Sequence, residues 1–236
     1  MKKYNSCRLI CLACGSILLL AGCINRENYN TIDYAKELVK EDRYTLAGDK
    51  HLVYDYPSLD PSGNINVVIE VPAGTNDKWE VNKSSGKLKW EFKNDQPRIV
   101  SYLGYPGNYG MIPSTILPKE FGGDGDPLDV LILGPALPRG RIVSARPIGV
   151  LRLLDRGEQD DKIIAVLLDS QFGQIKTLKQ LNREFKGVTE IIQIWFSNYK
   201  GIGKMQSQGF ADVEEAQQVI QLAIKAFDEN KSKSGK

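Results

Sequence analysis

Apolar and polar positions along this chain change rhythm in a way that separates a strand-rich centre from a helical end. Residues 66–72, Asn-Val-Val-Ile-Glu-Val-Pro, read as a strand whose apolar run is broken by one carboxylate, Glu70. Trp79 and Val81, then Leu88, Trp90 and Phe92, alternate with polar residues as in a half-buried hairpin, which places Lys78 and Glu80 on its other face. A strand resumes at 98–100, a buried one follows at 130–133, and 141–154 and 162–168 are rich enough in Ile, Val and Leu for two more. The remainder reads as helical. Val188, Ile191, Ile192, Trp195, Phe196 and Tyr199 form one apolar stripe that ends before Gly201. The last helix takes Asp212 as N-cap with Glu215 three residues on, and turns Val213, Ala216, Val219, Ile220, Ala223, Ile224 and Phe227 inward.

The chain ahead of the first strand has a different character. Residues 1–22 combine a basic start with an apolar run from Leu9 to Leu20, the length of a signal-peptide core and too short for a membrane span. Small residues then precede a cysteine in Leu20-Ala21-Gly22-Cys23, which resembles the lipobox of bacterial lipoproteins and implies cleavage and lipidation at Cys23. Residues 23–60 are polar, with a short helix around 34–39 and then Pro57, Pro61 and Gly63, and read as a tether. One domain, 61–236, follows.

Composition narrows the function. Of 236 residues 42% are apolar and 25% charged, ordinary for a globular protein. The formal charge of +2 is set by the leader: without Lys2, Lys3 and Arg8, 28 basic residues face 29 acidic ones, so nothing pulls the mature chain toward nucleic acid. All four cysteines, Cys7, Cys11, Cys14 and Cys23, precede residue 24, so the body forms no internal disulfide.

Candidate chemistry centres on Gly122-Gly123-Asp124-Gly125-Asp126-Pro127-Leu128-Asp129, three carboxylates in a glycine-rich loop that leads into a strand. Carboxylates this close repel one another unless a cation neutralises them or some stay protonated. An all-oxygen set suits Mg²⁺, Mn²⁺ or Ca²⁺, and a single histidine, His51, argues against zinc. A water-facing Asp/Gly turn is the plain alternative. A calcium-binding helix-loop-helix is not, because its sixth and twelfth positions hold Asp129 and Pro135 where Gly and Glu are needed. Elsewhere, Glu70 is either a solvated edge residue or an acid placed in a site. Tyr105 and Tyr109 flank a Pro-Gly-Asn turn and are core aromatics or cleft hydroxyls. A second acidic turn, 155–161, lies at a strand end where it can meet the first, or simply faces water as a hairpin tip.

Together these segments resemble the soluble, family I inorganic pyrophosphatases, from about Asn64 to Lys204. Asp124-Gly125-Asp126-Pro127-Leu128-Asp129-Val130 matches that family's D-G-D-P-x-D-V signature, and the segments around Glu70, Lys78 to Glu80, Tyr105 to Gly110, Asp155 to Lys162 and Tyr199-Lys200 follow in the family's order. The resemblance implies an α+β, mainly β fold: a small closed OB-like β-barrel with flanking C-terminal helices. It implies hydrolysis of pyrophosphate with several Mg²⁺ ions per site, Mn²⁺ being the alternative ion, in a homo-oligomer. Asp124, Asp129 and Asp160 are implied as principal metal ligands, with Asp155 and Glu70 for further ions. Asp126 is implied as general base. Lys78, Arg98, Tyr109, Lys162, Tyr199 and Lys200 are implied as phosphate-binding groups, with Glu80 and Tyr105 in support. The hairpin between Gly86 and Tyr105 is longer than the family's short versions, which leaves the arginine role open between Arg98 and Lys87, Lys89 or Lys93. The leader also departs from a typically cytosolic family and points to an exported, membrane-tethered protein, or a cytoplasmic one if the leader stays unprocessed.

Overall fold

The computed structural model describes residues 38–117, 123 and 125–234. In chain order they form β1 (Val39–Asp42), β2 (Thr45–Ala47), β3 (Ile65–Val71), β4 (Trp79–Val81), β5 (Leu88–Trp90), β6 (Phe92–Lys93), β7 (Gln96–Pro97), β8 (Asn108–Met111), β9 (Asp129–Leu133), β10 (Ile142–Asp155), β11 (Glu158–Gln159), β12 (Lys162–Leu167), α1 (Leu178–Glu184), α2 (Val188–Asn198), β13 (Met205–Ala211) and α3 (Val213–Ser234). The protein is mainly β with three helices among the described residues. The leader, Cys23 and Asp124 lie outside them.

The large sheet is organised by β10, whose 14 residues are long enough to serve several neighbours. Its start pairs with β3 through Ile142↔Val68 to Ala145↔Ile65, and its later part pairs with β13. A register shift between Pro147 and Gly149, on the side facing β12, bends the strand between those partners. From β10 the pairings run to β12, β9, β8 and β3 and so return to β10. One of these pairings, β12 with β9, is parallel and sets Lys162 beside Asp129.

Strand alternation decides which way each side chain of β3 looks. Ile65, Val67 and Ile69 join a cluster with Val130, Ile132, Val143, Val150 and Ile163, capped by Ala216, Ile220 and Ala223 of α3. Val68 turns the other way, toward Trp79, Val81 and Leu88 of the smaller sheet, ordered β1-β2-β5-β4. Glu70 shares that second face. A third cluster packs Ile192, Trp195 and Phe196 of α2 against Leu131, Leu151 and Tyr109.

Several expectations change. The stretch read as tether is folded from Leu38: β1 and β2 join the smaller sheet, and Leu52, Val53 and Tyr56 are buried against Trp79 and Phe227. Its few apolar residues have neither strand nor helix period, so their burial left no pattern. Of the helix expected around 34–39, Val39 instead begins β1 and 34–37 lie outside the described residues. The region after β12 is not wholly helical, because β13 completes the sheet beside β10 while Gly209 and paired polar residues disguise it. Phe92 and Ile191 stay exposed at 47% and 59% although each fits its apolar stripe. The hairpin beyond Trp90 breaks into the separate β6–β7 ribbon, which lifts Phe92 off the core and onto the Tyr44 ring.

Candidate active site

The cavity that gathers the candidate residues has a volume of about 350 Å³ and opens where β9, β12 and the acidic turn meet the smaller sheet. Its floor follows from the parallel register. Lys162 begins β12 opposite Asp129 at the start of β9, and its ammonium lies 2.5 Å from Asp129 Oδ2 and also contacts Asp160 Oδ1. Lys162 is 1% exposed, so its charge is held out of water by design of the sheet. Burial works to lower its pKa, but Asp129, Asp160 and Tyr199 together push it above the ordinary lysine value. At Asp129 burial works upward, and the charges of Lys162 and Lys78, with hydrogen bonds from Lys162 and Tyr109, outweigh it and hold the carboxyl below its ordinary value. Lys200, just past α2, donates to Asp155 Oδ2 at 2.7 Å and stands 3.5 Å from Asp160 Oδ2.

The wall opposite comes from the smaller sheet and its turns. Glu70 is buried and lines the cavity rather than facing solvent at a sheet edge, and its Oε1 accepts the Val81 N–H at 2.7 Å. Burial pushes its pKa up to about 8, with Asp129 and Glu80 acting the same way and Lys78 and the Val81 N–H opposing. Lys78 Nζ lies 3.7 Å from Glu80 and 5.2 Å above the Tyr109 ring. Arg98 also reaches the cavity, its Nη1 donating to Glu91 Oε1 and Oε2 at 2.6 and 2.8 Å. Its guanidinium therefore faces the cavity despite the long hairpin. Among the rival lysines, Lys87 pairs with Glu41 at 2.6 Å, and neither it nor Lys89 or Lys93 lines the cavity.

Aromatic side chains back this wall. Tyr109 and Tyr199 line the cavity, whereas Tyr105 is buried behind them, 5.1 Å from Tyr109 and 4.4 Å from Trp195 between ring centroids. Burial pushes both Tyr105 and Tyr109 well above the ordinary tyrosine pKa, so their hydroxyls stay protonated donors at neutral pH. Asp155 meets the cavity through Lys200 rather than lining it. Asp126 lines the rim and forms an ion pair with Lys83. Sequence reasoning missed Lys83, Asn82, Glu91, Gln159 and Asp161, all of which line the cavity. Glu91 was legible as a carboxylate beside the hairpin's buried face, but Lys83 sits in a polar turn that carried no signal.

Can these residues hold a cation? Among the described residues no group of three acidic, histidine or cysteine side chains stands close enough to hold one ion, with Lys162 and Lys200 set between Asp129, Asp155 and Asp160. The donor chemistry nevertheless fits. Asp155 Oδ1 and Asp160 Oδ2 are buried without a hydrogen-bond partner, an arrangement that costs free energy unless a ligand engages them. All-carboxylate donors select a hard divalent ion.

A family model described as inorganic pyrophosphatase matches residues 67–228. The chain is 36% identical over 174 residues to an inorganic pyrophosphatase of Gluconobacter oxydans, covering 72% of this chain and 95% of that one. It superimposes on the Helicobacter pylori inorganic pyrophosphatase with a TM-score of 0.63 at 31% identity, covering 74% and 99% of the two chains. Against the Schistosoma japonicum inorganic pyrophosphatase the TM-score is 0.71 at 26% identity, covering 75% and 71%. With its signature loop leading into the strand that carries Asp129, and its lysines set among the carboxylates, the chain belongs to the inorganic pyrophosphatase family.

Proposed function

We propose that this chain hydrolyses inorganic pyrophosphate to two phosphates with the help of Mg²⁺. The observation that carries the reading is the interleaving of charge in one cavity: Glu70, Asp126, Asp129 and Asp160 alternate with Lys78, Lys162, Lys200 and Arg98. A polyanion alone would need only the cations, and a metal alone only the carboxylates. Both sets are needed when a metal and a phosphoanhydride meet in one place.

Asp124, Asp129 and Asp160 would hold the principal Mg²⁺, with Asp155 and Glu70 for further ions and Mn²⁺ as the alternative. The chemistry Mg²⁺ would supply when bound is a fall in the pKa of bound water below its bulk value of about 15.7, and withdrawal of charge from phosphate oxygens. Asp126, at the rim, takes the proton as the water oxygen bonds to one phosphorus and the bridging P–O bond breaks. Lys78, Arg98, Lys162 and Lys200 bind the phosphate oxygens and absorb the charge that grows on the leaving group. Tyr109 and Tyr199 orient those oxygens through protein hydroxyls, while Glu80 and Tyr105 hold Lys78 and Tyr109 in place.

The circuit of pairings through β10, β12, β9, β8 and β3 supports reading the large sheet as a closed OB-like barrel. We also propose assembly into a homo-oligomer, and export with a lipid anchor on Cys23. No helix among the described residues is long and apolar enough to cross a membrane, so the tether rests on the lipobox-like sequence alone. Cell fractionation of the wild type and Cys23→Ala tests it: loss of the variant from the membrane fraction supports the anchor, and unchanged partition refutes it.

The test of activity is phosphate release from pyrophosphate by the full chain, with and without Mg²⁺ and with ATP in competition, beside Asp126→Asn. Mg²⁺-dependent turnover, weak on ATP and reduced about 10²- to 10⁴-fold in kcat by the substitution, is expected. A folded chain that binds Mg²⁺ but releases no phosphate overturns the reading.

A further inference from the structure

Asp161 is the unassigned acid of this site. It is buried, lines the cavity and follows Asp160 directly, yet its carboxylate is turned into the protein. β10 keeps one antiparallel register on either side of it, Leu151 opposite Lys162 and Leu154 opposite Gln159. In that register Leu153 faces Asp160, and such a pair exchanges two hydrogen bonds in an unbroken ladder. Only one is made with the backbone: the Asp160 N–H donates to the Leu153 carbonyl at 2.9 Å. The Leu153 N–H donates instead to Asp161 Oδ1 at 3.0 Å.

A side chain thus replaces a rung of the ladder at the point where Asp160 leaves the strand. The other oxygen, Asp161 Oδ2, accepts from Gln159 Nε2 at 2.7 Å and faces the Arg152 guanidinium at 3.8 Å. Arg152 in turn pairs with Glu215 in the first turn of α3. Residues 159 to 161 are therefore tied to β10 and, through one arginine, to a helix that packs on the core. Asp155 and Asp160, two acids of this turn, each carry a buried oxygen without a hydrogen-bond partner.

We propose that Asp161 is a positioning residue for the cation site: with Arg152 and Glu215 it holds the acidic turn so that the carboxylates of Asp155 and Asp160 are presented together to a divalent ion. The proposal rests on the metal reading of Asp160 given above. Each Asp161 oxygen is already tied to the protein, Oδ1 by the Leu153 N–H and Oδ2 by Gln159 and the Arg152 charge. The contribution of Asp161 is to fix a neighbour's direction, as outer-shell partners of metal ligands do.

The test is Mg²⁺ binding by titration calorimetry on the full chain, with a thermal melt for each variant and steady-state kinetics at saturating Mg²⁺. Asp160→Asn reports on the underlying reading: loss of Mg²⁺ uptake is expected, and unchanged uptake overturns the metal assignment itself and this inference with it. Asp161→Ala is expected to weaken Mg²⁺ binding about 10- to 100-fold, with KM for pyrophosphate at saturating Mg²⁺ near the wild-type value. Asp161→Asn keeps an oxygen for the Leu153 N–H but sets an amide against Gln159 and Arg152, so a smaller weakening is expected from a chain that still melts cooperatively. Arg152→Gln is expected to fall between wild type and Asp161→Ala. A merely structural Asp161 lowers the melting temperature and leaves Mg²⁺ affinity alone. That result, in either Asp161 variant and with Asp160→Asn still defective, overturns the inference and leaves the metal reading standing.

Discussion

Lys162 Nζ sits 2.5 Å from Asp129 Oδ2, a contact imposed by parallel pairing of β12 with β9. Backbone register alone puts the two residues side by side, and burial then makes each depend on the other. In Lys162→Met the Asp129 carboxylate, 29% exposed in the cavity wall, loses its nearest cation. The expected cost is about 1 to 3 kcal/mol of unfolding free energy without metal. Added Mg²⁺ supplies the missing positive charge and should recover part of that loss. Urea unfolding with and without Mg²⁺ measures it, and equal destabilisation in both conditions would show that the lysine is not compensating a metal-binding carboxylate.

That pair also shows what could be read from sequence. Asp129 and Lys162 stood out through the signature loop and the acidic turn, because spacing and composition are local and survive without the fold. The parallel contact between them is not local, since 33 residues separate them. Glu70 was ambiguous for the same reason: the donor that fixes it, Val81, lies on another strand. Long periodic segments such as β10, β12 and α3 were legible because each presents a repeated face to one core. β13 was not, because a backbone ladder with β10 holds a strand of mostly polar residues, and the stretch from Leu38 to Asp60 was not, because single apolar residues and side-chain hydrogen bonds anchor it.

Asp60 is such an anchor. Its carboxylate accepts from Ser144 Oγ at 2.5 Å, from the Ser62 and Asn64 N–H groups at 2.8 and 2.9 Å, and from Asn64 Nδ2 at 3.1 Å. Burial works to raise its pKa, but these bonds outweigh it and hold the carboxyl below its ordinary 3.8. A folded pKa below the unfolded one gives stability that is present above the unfolded value and lost as pH falls through the folded value. The wild type should therefore exceed Asp60→Asn in stability by a constant margin from pH 8 down to about pH 5, of about 1 to 3 kcal/mol. Below pH 4 the margin should shrink. Urea midpoints across that range decide, and a margin that grows on acidification would contradict the assignment.

Trp195 links the helical layer to the cavity wall. Its ring lies 4.6 Å from that of Tyr199 at an interplanar angle of 14° and 4.4 Å from that of Tyr105, while its Nε1 donates to the Leu103 carbonyl at 3.0 Å. Trp195→Ala should cost about 3 to 5 kcal/mol and raise KM for pyrophosphate, because Tyr199 loses the surface that orients it. Trp195→Phe restores a ring without the N–H and should recover most of the KM effect with less of the stability. A KM unchanged in a folded Trp195→Ala protein would separate the aromatic cluster from substrate binding.

Arg98 is the sharpest case, because sequence spacing left its role open to three lysines. Its guanidinium is half-buried in the cavity and clamped by both oxygens of Glu91, while Trp90 Nε1 donates to the Arg98 carbonyl at 2.9 Å. Burial works to lower the Arg98 pKa, but the Glu91 contact reverses it, so the charge is present throughout the working pH range. Arg98→Gln removes a planar cation that can bind two phosphate oxygens at once, and a rise in KM of about tenfold or more is expected. Lys93→Gln, on the exposed β6–β7 ribbon, should leave KM within about twofold. Glu91→Gln keeps the shape of the clamp without its charge and frees the guanidinium for the anion, so it should bind pyrophosphate no more weakly than wild type. The opposite ranking, with Lys93 sensitive and Arg98 silent, would return the arginine role to the lysines of the long hairpin.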